Sequence, residues 1–295
     1  MSTVGVLTPS EKAAAPAADA FRVQRVVAWV VLAELILLYA PTLRWLYERW
    51  TLSVWHNAHG LLIPPVVAYF IHQELKSRAH LPRESSAWGF ALLLPALVLH
   101  VLDTSMMTQL VSAASIVIAL PGLSLLFLGP TRTRAILFPL VLTAFALPIP
   151  LAMTEPVHMV LRQIATAGCA FALPLLGVPV FAEGTTLHLA ATPVQISDAC
   201  SGFSTLYAAM AVAYLTAYST PGWKRKLLIL AAAAPLAIAA NVVRVILLVL
   251  LVVWRGPQIL DTFVHPLSGM LTFAVALPVI FWLGKPAVVP ERTAR

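Results

Sequence analysis

Apolar positions along this chain do not alternate with polar ones. They gather into runs at about 26–43, 61–75, 87–102, 106–128, 134–152, 157–176, 199–218, 226–253 and 266–284. Most runs are ~15 to 25 residues long, the length at which a helix rising 1.5 Å per residue crosses the hydrocarbon core of a bilayer. Only helices and closed barrels satisfy their backbone polar groups in lipid, and uninterrupted runs of this kind predict helices. One stretch breaks the pattern. In 177–197, Gly184 separates two short runs rich in Val, Phe, Thr and Leu, which predicts a small β-hairpin.

Short basic clusters between the runs orient the helices, because Lys and Arg near membrane helices stay on the cytoplasmic side. With the N-terminus cytoplasmic, Lys12, Arg22 and Arg25 lie inside. Alternation then brings Lys76, Arg78 and Arg83, and later Arg132 and Arg134, to the same side. Asp103 and Glu155 fall outside. If run 157–176 also crossed, Lys224, Arg225 and Lys226 would be stranded outside. Its residues His158, Arg162, Gln163 and Thr166 recur at near-helical spacing, as in an interfacial or re-entrant helix. The expectation is therefore an all-α polytopic membrane protein with eight spanning helices, one interfacial helix and a small extracytoplasmic β-hairpin. Both termini lie inside, and so do fourteen of the nineteen Lys and Arg residues.

Composition agrees. The chain has 295 residues, 60% hydrophobic and 11% charged, roughly half the charge density of a soluble domain. Two cysteines exclude a disulfide scaffold. The net charge of +7 sits in clusters between apolar runs, not on one face, so nucleic acid is not an expected partner. Residues 1–20, rich in Ala, Ser, Thr and Pro, read as a disordered cytoplasmic tail. A single transmembrane domain spans 21–285, and 286–295 forms a second tail. The first run lacks a small-residue cleavage site and reads as a spanning helix, not a removable signal.

No HExxH, GxSxG, GxGD, CxxC or P-loop occurs, so no metal or cofactor is expected. Polar residues near the last three runs remain. Cys200 opens run 199–218 with Ser197 or Asp198 as N-cap; the helix dipole would lower its pKa. Ser204 and Tyr207 continue that face. The alternative is a buried structural cysteine. Arg244 lies within an apolar run, one turn after Asn241. A guanidinium there costs at least ~2.5 kcal/mol and should face a cavity or an anion. Snorkelling or pairing with a carboxylate is the alternative, although runs 226–253 and 266–284 hold no acid. His265 starts the last run and is either functional or simply solvated. The topology brings all three to the outer side, with Arg244 about 14 Å below its helix end. Thiol, guanidinium and imidazole suffice for acyl transfer. His59 either lines a substrate entrance or belongs to a structural turn. His100 and Asp103, at the outer end of the third helix, are expected to contact headgroups. A Cys169–Cys200 disulfide would remove the nucleophile.

The segments DACSGFSTLYAAMAVAYL (198–215), NVVR (241–244) and HPLSG (265–269) resemble the exosortase/archaeosortase family. Weaker similarity lies at 58–69, 138–150 and 177–184, and the resemblance spans about 29–284. It implies a membrane cysteine protease-transpeptidase in the bacterial inner membrane, its site facing the periplasm. The substrates implied are single-span proteins with a C-terminal sorting signal: a short motif, typically Pro-Glu-Pro, a membrane helix and a basic cluster. The cleaved protein is transferred to an acceptor of unspecified chemistry; membrane lipids are separate partners. By position Cys200 matches the nucleophile, Arg244 the arginine and His265 the histidine, with Asp198, Ser201, Gly202, Ser204, Asn241, Gly269 and His59 in support. Asp198 stands where many members have Glu, and the chain stops soon after its last helix. Two other readings stay open. A permease would use Arg244 to bind an anionic substrate, with helices broken at Pro64, Pro65, Pro148, Pro150 and Pro235. A thiol oxidoreductase would use Cys169 and Cys200, against the missing CxxC.

Overall fold

The computed structural model describes residues 23, 26–51, 57–190 and 192–284, and both expected tails lie outside them. Among the described residues nine α-helices follow one another: α1 Val26–Leu38, α2 Ala40–Thr51, α3 Ile63–Ser77, α4 Trp88–Met106, α5 Leu110–Leu142, α6 Leu151–Leu175, α7 Phe203–Ser219, α8 Trp223–Arg255 and α9 Val264–Gly284. Four of these stretches are long and apolar enough to cross a membrane: α4, α5 with its following turn, α8 and α9. The pair α1–α2, bent by 61°, makes a fifth if it counts as one span. Pro41, with no N–H to give, stands at that bend. This is a multi-pass membrane protein; among the described residues four or five stretches qualify as spans by length and composition, where eight were expected. The helices α3 (15 residues) and α7 (17 residues) are too short for that measure. The 25-residue α6 is long enough but carries Glu155 and Arg162, and it is not among the candidate spans.

The chain forms two compact units. In the first, α4 and α5 make an antiparallel hairpin. A Cβ on Gly89 would come within 2.5 Å of Gly122 O, so the two backbones touch where both side chains are absent. Midway, α5 breaks at Gly129 (φ 77°, ψ 173°) before Pro130. The break matches the gap between runs 106–128 and 134–152. Just beyond it, Arg132 donates from Nε to Leu81 O (3.0 Å) and from Nη2 to Ala79 O (3.0 Å), anchoring the loop after α3.

A polar cluster caps this hairpin. Asp103 is 2% exposed and His100 3% exposed, so neither meets headgroups as the sequence suggested. The reason lies at the start of α5, whose N-cap is Gln109. The first amides of a helix have no internal acceptor. Asp103 Oδ2 accepts from Ser112 N–H (2.8 Å), and Thr108 Oγ1 donates to Asp103 Oδ1. Ser112 Oγ bonds His100 Nδ1 and Thr42 Oγ1, both at 2.6 Å.

In the second unit, three antiparallel strands follow α6: β1 Val180–Glu183, β2 Thr186–Leu189 and β3 Pro193–Gln195, in the order β1-β2-β3. The expected hairpin is present, turning at Gly184 (φ +59°) with Glu183 paired to Thr186, and a third strand extends it. Leu187 and Ile196 seat the sheet on Ala165, Cys169 and Leu173 of α6 and on Val245 and Val249 of α8. Farther along, Ala209, Ala213 and Ala217 of α7 meet Ile229, Ala233 and Ala237 of α8 and Ile280 of α9. Small side chains let these three helices approach closely.

Asp103→Ala should destabilise the first unit by roughly 1–3 kcal/mol, because the Ser112 amide and the Thr108 hydroxyl lose their buried acceptor. Asp103→Asn, which keeps one acceptor oxygen, should lose less. Thermal unfolding in detergent measures both, and equal losses would show that the carboxylate is not the cap.

Candidate active site

The chain leaves β3 through Ile196, whose N–H donates to Thr185 O (2.9 Å), and enters a 3-10 turn, Asp198–Cys200. Gly202 then adopts φ +82° as the N-cap of α7. Cys200 therefore precedes α7 and does not open it, a correction to the sequence expectation. The cause is local: one left-handed glycine interrupts the helical run. That glycine is also dictated from outside, since a Cβ at 202 would lie 2.4 Å from Asn241 Cγ.

Asn241 holds the turn from α8. Its Nδ2 donates to Cys200 O (3.1 Å) and to Ser201 O (3.0 Å). One turn later Arg244, 7% exposed, donates from Nε to Ser268 Oγ (2.9 Å) on α9. Gly269 stands beside it: a Cβ there would rest in ordinary contact, 3.7 Å from Arg244 Cζ. The Cys200 turn, α8 and α9 thus meet at one place, and the Arg244 charge acts on the Cys200 sulfur. His265 is the second residue of α9, one turn before Ser268 and Gly269. Its side chain lies outside the described residues.

Burial pushes the Cys200 thiol above its ordinary value; Arg244 and a hydrogen bond with Ser197 pull it part of the way back. No helix dipole lowers it, because the three-residue turn Asp198–Cys200 is not the first turn of an α-helix. At rest the sulfur is protonated, and a nucleophilic role would require a base.

Behind the turn stands a second layer whose α6 members, Arg162 and His158, the sequence did not assign to the site. From α6, Arg162 pairs with Asp198 through Nη1 and with Glu155 through Nη2 (2.6 Å). Ser201, 1% exposed, donates to Asp198 O (2.7 Å). With that single hydrogen spent, Ser201 Oγ accepts from His158 Nδ1 at 2.9 Å, which fixes the Nδ1–H tautomer. Burial lowers His158 more than the carboxylates of Asp198 and Glu155 raise it, so the ring is neutral. It stacks on Phe203 (centroids 4.7 Å), Phe203 on Tyr207 (6.1 Å), and His59 meets Tyr207 edge-on (5.1 Å). The available signal was the recurrence of polar residues at 158, 162 and 166 in an otherwise apolar run.

Ser204 lies half-buried in the first turn of α7. Neither Cys169 nor Cys200 forms a disulfide; Cys169 is packed in the core beneath the sheet. Among the described residues no three His, Cys, Asp or Glu side chains gather as metal ligands. Arg244 and Ser268 border a groove of about 360 Å³ whose other walls are mostly Leu and Val of α8 and α9.

Two outcomes follow. Alkylation of Cys200 should keep accelerating past pH ~9, where an ordinary thiol approaches its limiting rate. Arg244→Gln should slow it further at fixed pH by removing the cation that favours the thiolate; a plateau below pH 8 would contradict the burial argument. Gly202→Ala should displace the turn, by clash and by backbone strain, and lower thermal stability by ~1–3 kcal/mol. Gly202→Ala unfolding at the wild-type temperature would count against the fit with Asn241.

No curated protein and no solved structure matches this chain. One family does, over residues 50–282, a span that contains the Cys200 turn, Asn241 and Arg244, and the start of α9. On that match the chain belongs to the transmembrane exosortase family.

Proposed function

We propose that this exosortase is a cysteine protease-transpeptidase that cleaves a C-terminal sorting signal and passes the protein to an acceptor. The observation that carries the proposal is the junction of Cys200 and Arg244, fastened by Asn241 to the turn and by Ser268 to α9. The substrate is the tail of a single-span protein with a short Pro/Glu motif, a membrane helix and a basic cluster. The enzyme sits in the bacterial inner membrane with eight spanning helices, α6 at the interface and the site facing the periplasm.

In the first step the Cys200 sulfur attacks the scissile carbonyl, and its proton passes to the imidazole of His265. The developing oxyanion takes N–H donors from Arg244. The C–N bond then breaks, the proton leaves on the departing amine, and the retained protein is held as a thioester. In the second step a nucleophile of the acceptor, or water, gives its proton to the imidazole and attacks the thioester. That proton returns to sulfur as the thiol is released. The second layer positions the turn: Arg162 fixes Asp198, and His158 fixes Ser201.

Cys200→Ala should abolish tail processing while the protein still inserts and unfolds cooperatively. Arg244→Lys should reduce processing roughly 10²-fold or more, because an ammonium cannot reproduce the planar fork. Processing by Cys200→Ala at the wild-type rate would overturn the assignment of the nucleophile.

A further inference from the structure

Cys200 also stands on the wall of a cavity of about 210 Å³ that the reacting groups leave unused. Its lining is mostly apolar: Val194 and Ile196 from β3 and its exit, Val245, Val249 and Val252 from α8, and Leu260 from the short turn Pro257–Asp261, with Gln195 and Ser197 as uncharged polar members beside Cys200. Charged side chains are absent from it. Such a lining favours an aliphatic side chain over a carboxylate or an ammonium, which would lose water and meet no opposite charge there.

Position along α8 tells which part of a substrate passes this cavity. Asn241 grips the turn and Arg244 supplies the guanidinium; the cavity begins at Val245 and continues to Val252, about 12 Å beyond Arg244 toward the C-terminal end of α8. A membrane helix needs about 30 Å of hydrocarbon. From Arg244 back to Trp223 the helix offers about 32 Å, whereas from Arg244 to Arg255 it offers only about 16 Å. The tail released by cleavage carries the membrane helix, so it runs beside the long arm of α8. The segment kept on sulfur runs the other way, past the cavity and toward the sheet.

The sheet is arranged to receive it. As the last strand in the order, β3 pairs with β2 alone among the described residues. The bond from Ile196 N–H to Thr185 O directs Ile196 toward β2, and alternation along the strand turns the N–H and C=O of Gln195 to the open edge. Pro193, which has no N–H, sits on that edge where none is needed for pairing.

We infer that this cavity is a side-chain subsite for an aliphatic residue on the amino side of the cleaved bond, its backbone extended along the edge of β3. The inference rests on the proposed cleavage reaction and adds to it a rule of substrate choice.

The test uses the full-length protein in detergent or vesicles, with substrates carrying Val, Leu, Gly or Asp at either side of the cleaved bond. On the amino side, Asp should lower kcat/KM at least about tenfold against Val or Leu; the same changes on the carboxyl side should have little effect. Leu260, half-exposed at the rim, gives the complementary change. Leu260→Trp should shift preference toward Gly by about tenfold, and Leu260→Ala should relax it. A readout without catalysis compares a neutral alkyl methanethiosulfonate with an anionic one on Cys200: the alkyl reagent should react faster, and Leu260→Trp should slow it selectively. A preference confined to the carboxyl side, or Leu260 variants that change neither preference nor labelling, would overturn the subsite while leaving a Cys200-dependent reaction intact. Processing that survives Cys200→Ala would instead remove the reaction on which the subsite depends.

Discussion

The site depends on one helix carrying two polar residues that a bilayer would not tolerate alone. Asn241 and Arg244 are both nearly inaccessible on α8, in a run of Ala, Val, Ile and Leu. An amide and a guanidinium in such a setting must spend their donors on something. Asn241 spends Nδ2 on the carbonyls of Cys200 and Ser201, and Arg244 spends Nε on Ser268. The cost of burying them is therefore what draws the Cys200 turn and α9 onto α8. Arg244 then stands where its charge reaches the sulfur.

Much of this was legible in the sequence. The apolar runs gave the helices, and the gap between two of them located the Gly129 break. Gly184 marked the first turn of the sheet. Two separated motifs supplied the thiol, the guanidinium and its amide neighbour, and the structure brings those together. What remained hidden was tertiary. Nothing in DACSGF says that Gly202 is left-handed, because the Asn241 amide that demands it comes from α8. The same concealment covers Asp103. Its sequence setting is the end of an apolar run, where a carboxylate usually meets water; its true partner is the bare start of the next helix.

The second layer shows a different limit. Polar residues on α6 were visible as a face, and a polar face at a membrane boundary is normally explained by lipid and water. Here Arg162 and His158 turn that face inward onto Asp198 and Ser201. Periodicity identifies a face but not what covers it. The number of spans suffers similarly: α3 and α7 are apolar but short, and length and composition alone do not carry them across.

Because Asn241 and Arg244 sit three residues apart on one continuous α-helix, their separation is set by helical rise, about 4.5 Å along the axis. Changes in bilayer thickness tilt or slide a long hydrophobic helix. Such movements carry both anchors as a rigid ruler, so the spacing between the cysteine's tether and the guanidinium survives mechanical deformation of the surrounding lipid.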